Sequence, residues 1–193
     1  MKYYTNFFLL MPFFSCTRQV NNTDHEFFKK ILETEASYLQ YSIHDNGSKF
    51  VLNTDDPSSL RTEDDIHLTI NEFSEEIKGK LIFRFTELNC ETCVDATLSS
   101  MKRIMGNDQL RKSVIILTSY KFNAYYKDWK RSNNIEFDIY NLGDIKLPLL
   151  SESLVRPYLF YLDDSLKIQN VFFPIKEYAY STDQYLSFIS KKL

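Results

Sequence analysis

Two cysteines, Cys90 and Cys93, are separated by two residues and stand where an apolar run gives way to a helical pattern. This junction constrains the chain more than any other stretch. Leu81-Ile-Phe-Arg-Phe85 reads as a strand. Glu91 to Met105 repeats Val94, Leu98, Met101 and Met105 on one helical face, with Gly106 placed as its stop. Ser113-Val-Ile-Ile-Leu-Thr118 is almost wholly apolar, as expected of a strand buried on both faces. Phe122, Tyr125, Tyr126 and Trp129 mark a second helix, and Ile135, Phe137 and Ile139 alternate as a short strand. Tyr158-Leu-Phe-Tyr-Leu162 and Lys167-Ile-Gln-Asn-Val-Phe172 flank Asp163-Asp164-Ser165, the pattern of a hairpin. Ser181-Thr-Asp-Gln184 is a capping box, followed at helical spacing by Tyr185, Leu186, Phe188, Ile189 and Leu193. This order predicts an α/β chain with a mixed central sheet and helices on both faces.

Upstream of the junction, Thr23-Asp-His-Glu26 is another capping box, and Phe27, Phe28, Ile31, Leu32 and Leu39 recur at helical spacing. They predict a helix from about Asp24 to about Tyr41. Asn46-Gly47 is a turn signal, Phe50-Val51-Leu52 a short strand, and Asp55-Asp56-Pro57-Ser58-Ser59 a loop. Ile66, Leu68 and Ile70 alternate with polar residues, which predicts a half-buried strand. Glu75 to Lys80 is polar.

The first sixteen residues carry an address. Lys2 gives a positive start, Tyr3 to Phe14 is mostly apolar, and Ser15 is a small residue directly before Cys16. That arrangement predicts an export signal over residues 1–15. A cut before a cysteine resembles the lipobox of bacterial lipoproteins, which makes Cys16 the expected lipid anchor and so ties the chain to a membrane. Phe13 and Phe14 depart from that pattern's usual aliphatic and small residues. Residues 16–47 then form a tether and helix, and 48–193 the main domain.

Composition excludes several alternatives. The chain has 193 residues, a formal charge of −3, and only 4 Gly and 5 Pro, so collagen-like and Pro/Gly-rich disordered classes are out. A pI near 5.7 argues against a nucleic-acid partner. No apolar run reaches the roughly 18 residues of a membrane-spanning helix. Three cysteines exclude a disulfide-dense scaffold.

A thiol at the first turn of a helix faces unpaired backbone N–H groups and the positive end of the helix dipole, which favour thiolate. Thiolate is the nucleophile of disulfide exchange. Cys90, nearer the helix end, is the expected attacking thiol; Cys93, one turn deeper, is placed to resolve the mixed disulfide. A structural disulfide and a pair that no longer turns over remain open readings. Half of a zinc site is a third, although no second cysteine pair exists and His25, His44 and His67 lack ligand spacing.

The segment from Leu81 through Cys90-Glu-Thr-Cys93-Val94 resembles the active-site strand, CxxC and helix of the thioredoxin family. Leu154-Val-Arg-Pro157-Tyr-Leu-Phe-Tyr-Leu-Asp163 resembles that family's cis-proline and the core strand after it. The long stretch between them is similar to the membrane-anchored envelope branch. The resemblance covers about residues 48–193 and implies a thioredoxin-like three-layer fold with an N-terminal helical extension. It implies a thiol–disulfide oxidoreductase with Cys90 as nucleophile and Cys93 as resolving thiol. Pro157, if cis, would hold a substrate strand beside the disulfide, and the backbone of Arg156 would pair with that strand. No metal or organic cofactor is implied. The implied partners are disulfide-containing protein substrates and an external electron donor. The chain departs from the family at Asn89, where an aromatic is usual, and at Arg84, where many members carry a buried acid. Arg84 is expected to pair with a carboxylate such as Asp95, or to stabilise a thiolate. Glu87 is the nearest upstream candidate to accept a proton from Cys93. Glu91 is expected to raise the Cys90 pKa and make the pair more reducing, with Arg156 pulling the other way. A non-catalytic binding module of the same fold is the alternative. A peroxide reductase fits less well, because no Pro-rich loop surrounds Cys90.

Overall fold

The computed structural model describes residues 22–52 and 68–193. The expected export segment and Cys16 lie outside the described residues, as do the 55–59 loop and Ile66.

Five strands form one mixed sheet in the order β3-β2-β1-β4-β5. They are β1 (Leu81–Arg84), β2 (Val114–Thr118), β3 (Ile139–Asn141), β4 (Tyr158–Leu162) and β5 (Ile168–Phe172). β1, β2 and β3 run parallel, while β4 is antiparallel to both β1 and β5. The apolar runs explain why β1 and β2 are central. Leu81 and Phe83 of β1, with Val114 and Ile116 of β2, pack into one buried cluster with α3 (Glu91–Ser113), α4 (Asn123–Ser132) and α5 (Ala179–Ile189). Ile82, Ile115 and Leu117 point the other way, into a second cluster with Phe73 of α2 (Ile70–Glu76). Alternate residues therefore fill two cores, and both faces must be apolar. The result is the expected three-layer α/β fold.

α1 (Asn22–Asp45) is longer than its sequence pattern suggested and lies against the domain. Tyr38 and Tyr41 rest on Phe173, with ring centroids 4.9 and 6.3 Å away. At its end the buried Asp45 accepts the Leu150 and Ser151 N–H groups, each at 2.9 Å, and the Ser151 hydroxyl. The chain then turns at Gly47 and runs beside β5. Gly47 N–H donates to Ile168 O, Ile168 N–H to Ser48 O, and Phe50 N–H to Leu166 O.

Several sequence expectations are corrected. Ile70 opens a helix rather than ending a strand, because Thr69 and Glu72 close a capping box there. Phe50 and Leu52 are buried, but the segment makes only a bridge between Lys49 and Lys167. Gly106 does end the helical run after Met105, as expected, but a second helical stretch follows it directly. The Gly106 φ of 71° and ψ of 162° kink the helix, which resumes to Ser113. Ile135 and Phe137 are buried outside the short strand β3. α5 starts at Ala179, ahead of the Ser181–Gln184 pattern, without a side-chain cap. No helix among the described residues is long and apolar enough to cross a membrane.

Candidate functional site

The loop after β1 is shaped by its own polar residues. Phe85 N–H donates to Leu117 O and Glu87 N–H to Ser119 O, which carries β1 pairing past the strand end. Asn89 folds the turn back: its Oδ1 accepts Thr86 N–H at 2.8 Å and its N–H donates to Thr86 O at 3.0 Å. Asn89, where the resemblance led to an aromatic, is thus a turn former. Cys90 follows as the N-cap of α3, and its carbonyl accepts from the Cys93 and Val94 N–H groups.

Both cysteines are free thiols, Cys90 exposed and Cys93 half-buried. Their environments pull them apart. Cys90 is drawn down from 9.0 to about 7, first by the hydrogen bond from the Cys93 side chain, then by the Thr92 hydroxyl 3.0 Å away and by the Cys93 N–H. The charge of Lys176 adds to this. Cys93 is pushed up to about 11, first by burial, then by its hydrogen bond to Cys90 and the charge there. Such a pair has one thiol ready to attack near neutral pH and one held protonated behind it.

This corrects the expectation for Glu91. The Cys90 thiol moves down, because hydrogen bonds from its own helical turn act at contact. Glu91 lines a second cleft of about 190 Å³ with Glu87, Tyr120 and Trp129. There burial, then the charges of Glu87, Glu91 and Asp95, raise the Tyr120 hydroxyl to about 12. Glu87 lines that second cleft as well and accepts Lys121 N–H at 3.1 Å.

Arg84 is 2% exposed and fully partnered. Its partner is Glu152 rather than Asp95, through Nε to Oε1 at 2.7 Å and Nη2 to Oε2 at 3.1 Å. It also donates to Phe85 O and Ser119 Oγ, and Tyr158 donates to Glu152 Oε1. A guanidinium so occupied ties β1, β2 and the 150–153 turn together and has no bond to a thiol. Asp95 Oδ1 is buried without a hydrogen-bond partner.

The thiols open onto a cleft of about 580 Å³. One wall is residues 155–157, with Arg156 and Pro157 beside Cys90 and Cys93; the floor adds Ile175 and Lys176. The Arg156–Pro157 peptide is trans, as are all peptide bonds among the described residues. The condition set for Pro157, a cis bond, is therefore not met; trans is the ordinary state of an X–Pro bond. α1 also lines the cleft, through Phe27, Lys30, Ile31 and Thr34. Arg156 lies over the Tyr38 ring, 5.7 Å from its centroid. Sequence reasoning did not anticipate this lining from α1, nor Thr92 and Lys176. Thr92 was visible as a hydroxyl inside the CxxC. Lys176 comes from far downstream and carries no motif. Among the described residues no cluster of His, Cys, Asp or Glu could hold a metal ion.

No protein-family model matches the chain, and no curated protein matches it in sequence. Solved structures do match in fold. One is assigned as the thiol:disulfide interchange protein DsbE of Chlorobium tepidum, with a TM-score of 0.52 and 11% identity over 76% of this chain and 96% of that one. Another is a thiol:disulfide interchange protein from a Bacteroides species, with a TM-score of 0.50 and 11% identity over 73% and 90%. The chain has the thioredoxin-like fold.

Proposed function

We propose that the chain is an extracytoplasmic thiol–disulfide oxidoreductase acting on the reductase or isomerase side. Residues 1–15 serve as export signal and Cys16 as lipid anchor. The observation that carries the redox reading is the pairing of an exposed Cys90 at the helix start with a half-buried Cys93 one turn deeper, beside an open cleft. The Cys90 thiolate attacks one sulfur of a substrate disulfide. That S–S bond breaks, the other substrate sulfur leaves as thiolate and takes up a proton, and a mixed disulfide forms. With Cys90 now uncharged, two of the three causes that raise Cys93 lapse. Cys93 gives up its proton to solvent and attacks Cys90 Sγ, and the substrate leaves reduced. Two electrons have passed, and a dithiol donor must return them. Arg156, which lines the cleft with both cysteines, positions the substrate segment.

A Cys90 value of about 7 favours the reducing direction. Reducing couples of this chemistry have nucleophilic thiols near 7 and potentials near −270 mV, whereas strong oxidants have thiols near 3.5 and potentials near −120 mV. The test is equilibration of the pair in graded dithiothreitol or glutathione buffers, counting thiols by alkylation and mass. A reversible potential between about −300 and −180 mV is expected. A pair still oxidised well below −300 mV is a structural disulfide, and one above about −150 mV is an oxidant. The second reading, a non-catalytic binding module, is favoured by Asn89, which spends its side chain on the turn. Cys93→Ser separates the two: an exchanger accumulates mixed disulfides through Cys90, and a binding module does not.

A further inference from the structure

The cleft carries charge and apolar surface that exchange chemistry alone does not require. Lys30 from α1, Arg156 and Lys176 bring three cations to the lining of the cleft, and the charges of Arg156 and Lys176 reach the thiols. The lining holds a single carboxylate, Glu177, 3.8 Å from Lys176. Among the described residues, no carboxylate forms an ion pair with Lys30 or Arg156. Around the same opening stand three large apolar side chains in solvent: Phe27 at 44% exposure, Leu88 at 75% and Val155 at 65%. They come from α1, the turn before Cys90 and the segment before Pro157. Exposed apolar side chains gathered around one opening mark a contact site.

Resting on the exchange reading above, we propose that the occupant of this cleft is an extended, cysteine-bearing segment of a partner protein, with acidic and apolar residues flanking its disulfide cysteine. The excess of cations selects acidic neighbours, and a positive cleft raises both local concentration and on-rate for them. The three apolar side chains select a polypeptide over a small disulfide, because a small molecule in the cleft leaves them in water. α1 is then part of the recognition groove, and the domain without it lacks that part of the lining.

The test uses the reduced full chain and three decapeptides, each with one cysteine capped as a mixed disulfide with mercaptoethanol. Their flanks are Glu-Leu, Ser-Leu or Lys-Leu. Hydroxyethyl disulfide, uncharged and small, reports exchange alone. Acid-quenched second-order rate constants are expected to be at least tenfold higher for the acidic than for the lysine peptide. The ratio shrinks towards one as salt rises from 0.02 to about 0.5 M. Lys30→Glu is expected to cut the ratio several-fold. Lys191→Glu is expected to leave it unchanged, since Lys191 follows Ser190, which bonds Gln109 late in α3, far from Cys90. Equal rates for the three peptides, or a ratio indifferent to salt and to Lys30→Glu, overturns the inference while exchange stands. Glutathione disulfide outpacing the acidic peptide also overturns it, because the occupant is then a small anion. No reaction even with hydroxyethyl disulfide fails the exchange reading itself, and the inference with it.

Discussion

At the scale of single residues, the two thiols make a titration that potentials can read. Reducing the disulfide takes up two protons while both thiols stay protonated, and one proton when Cys90 is a thiolate. The potential is therefore expected to fall by about 59 mV per pH unit below the Cys90 value of about 7, and by about 30 mV between there and the Cys93 value of about 11. Thr92→Val removes a hydroxyl that lowers Cys90, so the break in slope is expected to move to higher pH. A break that stays in place excludes the Thr92 contact as a cause. Buried charge gives a second expectation. Arg84→Met strands the Glu152 carboxylate and is expected to cost about 3 kcal/mol in urea unfolding, while Arg84→Met with Glu152→Met restores most of it. Sequence exposed the thiols because their chemistry depends on local spacing. The Arg84 partner was not legible: Glu152 lies 68 residues on and meets Arg84 only once β1 and the 150–153 turn are assembled.

Elements with strong periodicity were legible, and their ends were less so. β1, β2 and the β4–β5 hairpin follow their apolar runs closely. α2 was missed because Ile66, Leu68 and Ile70 alternate like a strand, while the capping box of Thr69 and Glu72 fixes a helix start inside that pattern. Gly106 was legible as a break between Met105 and Leu110, both buried, but the helical stretch that runs on from it to Ser113 was not. The Gly106 φ of 71° and ψ of 162° lie in a region that residues with a Cβ avoid. Nothing stands within 4 Å of an added Cβ, so the cost of Gly106→Ala comes from the backbone alone. It is expected to be about 1–3 kcal/mol by thermal or urea unfolding. An unchanged midpoint would mean that α3 straightens without loss.

For the whole molecule, α1 was legible as a helix but its place was not, because docking depends on Tyr38, Tyr41 and Asp45 meeting surfaces more than a hundred residues away. Asp45 ties that helix to the domain, and its carboxyl is held below the usual carboxylate range: burial raises it, but the Ser151 hydroxyl, His44 and the Ser151 and Leu150 N–H groups outweigh that. A depressed carboxyl contributes stability above its unfolded value, about 4, and loses it as pH falls through the folded value. Asp45→Asn is therefore expected to lower stability by about 1–2 kcal/mol at pH 7, and by less in acid, where the parent has lost the same contribution. Urea midpoints at the two pH values decide it; an equal deficit at both excludes the charge as the cause. The strip from Gly47 to Phe50 that leads out of α1 also covers the start of β5, taking up backbone groups of Leu166 and Ile168. Over that stretch the edge offers strangers no ladder to extend. Crowded or partly concentrated chains are thereby denied one route by which sheets recruit one another into fibres.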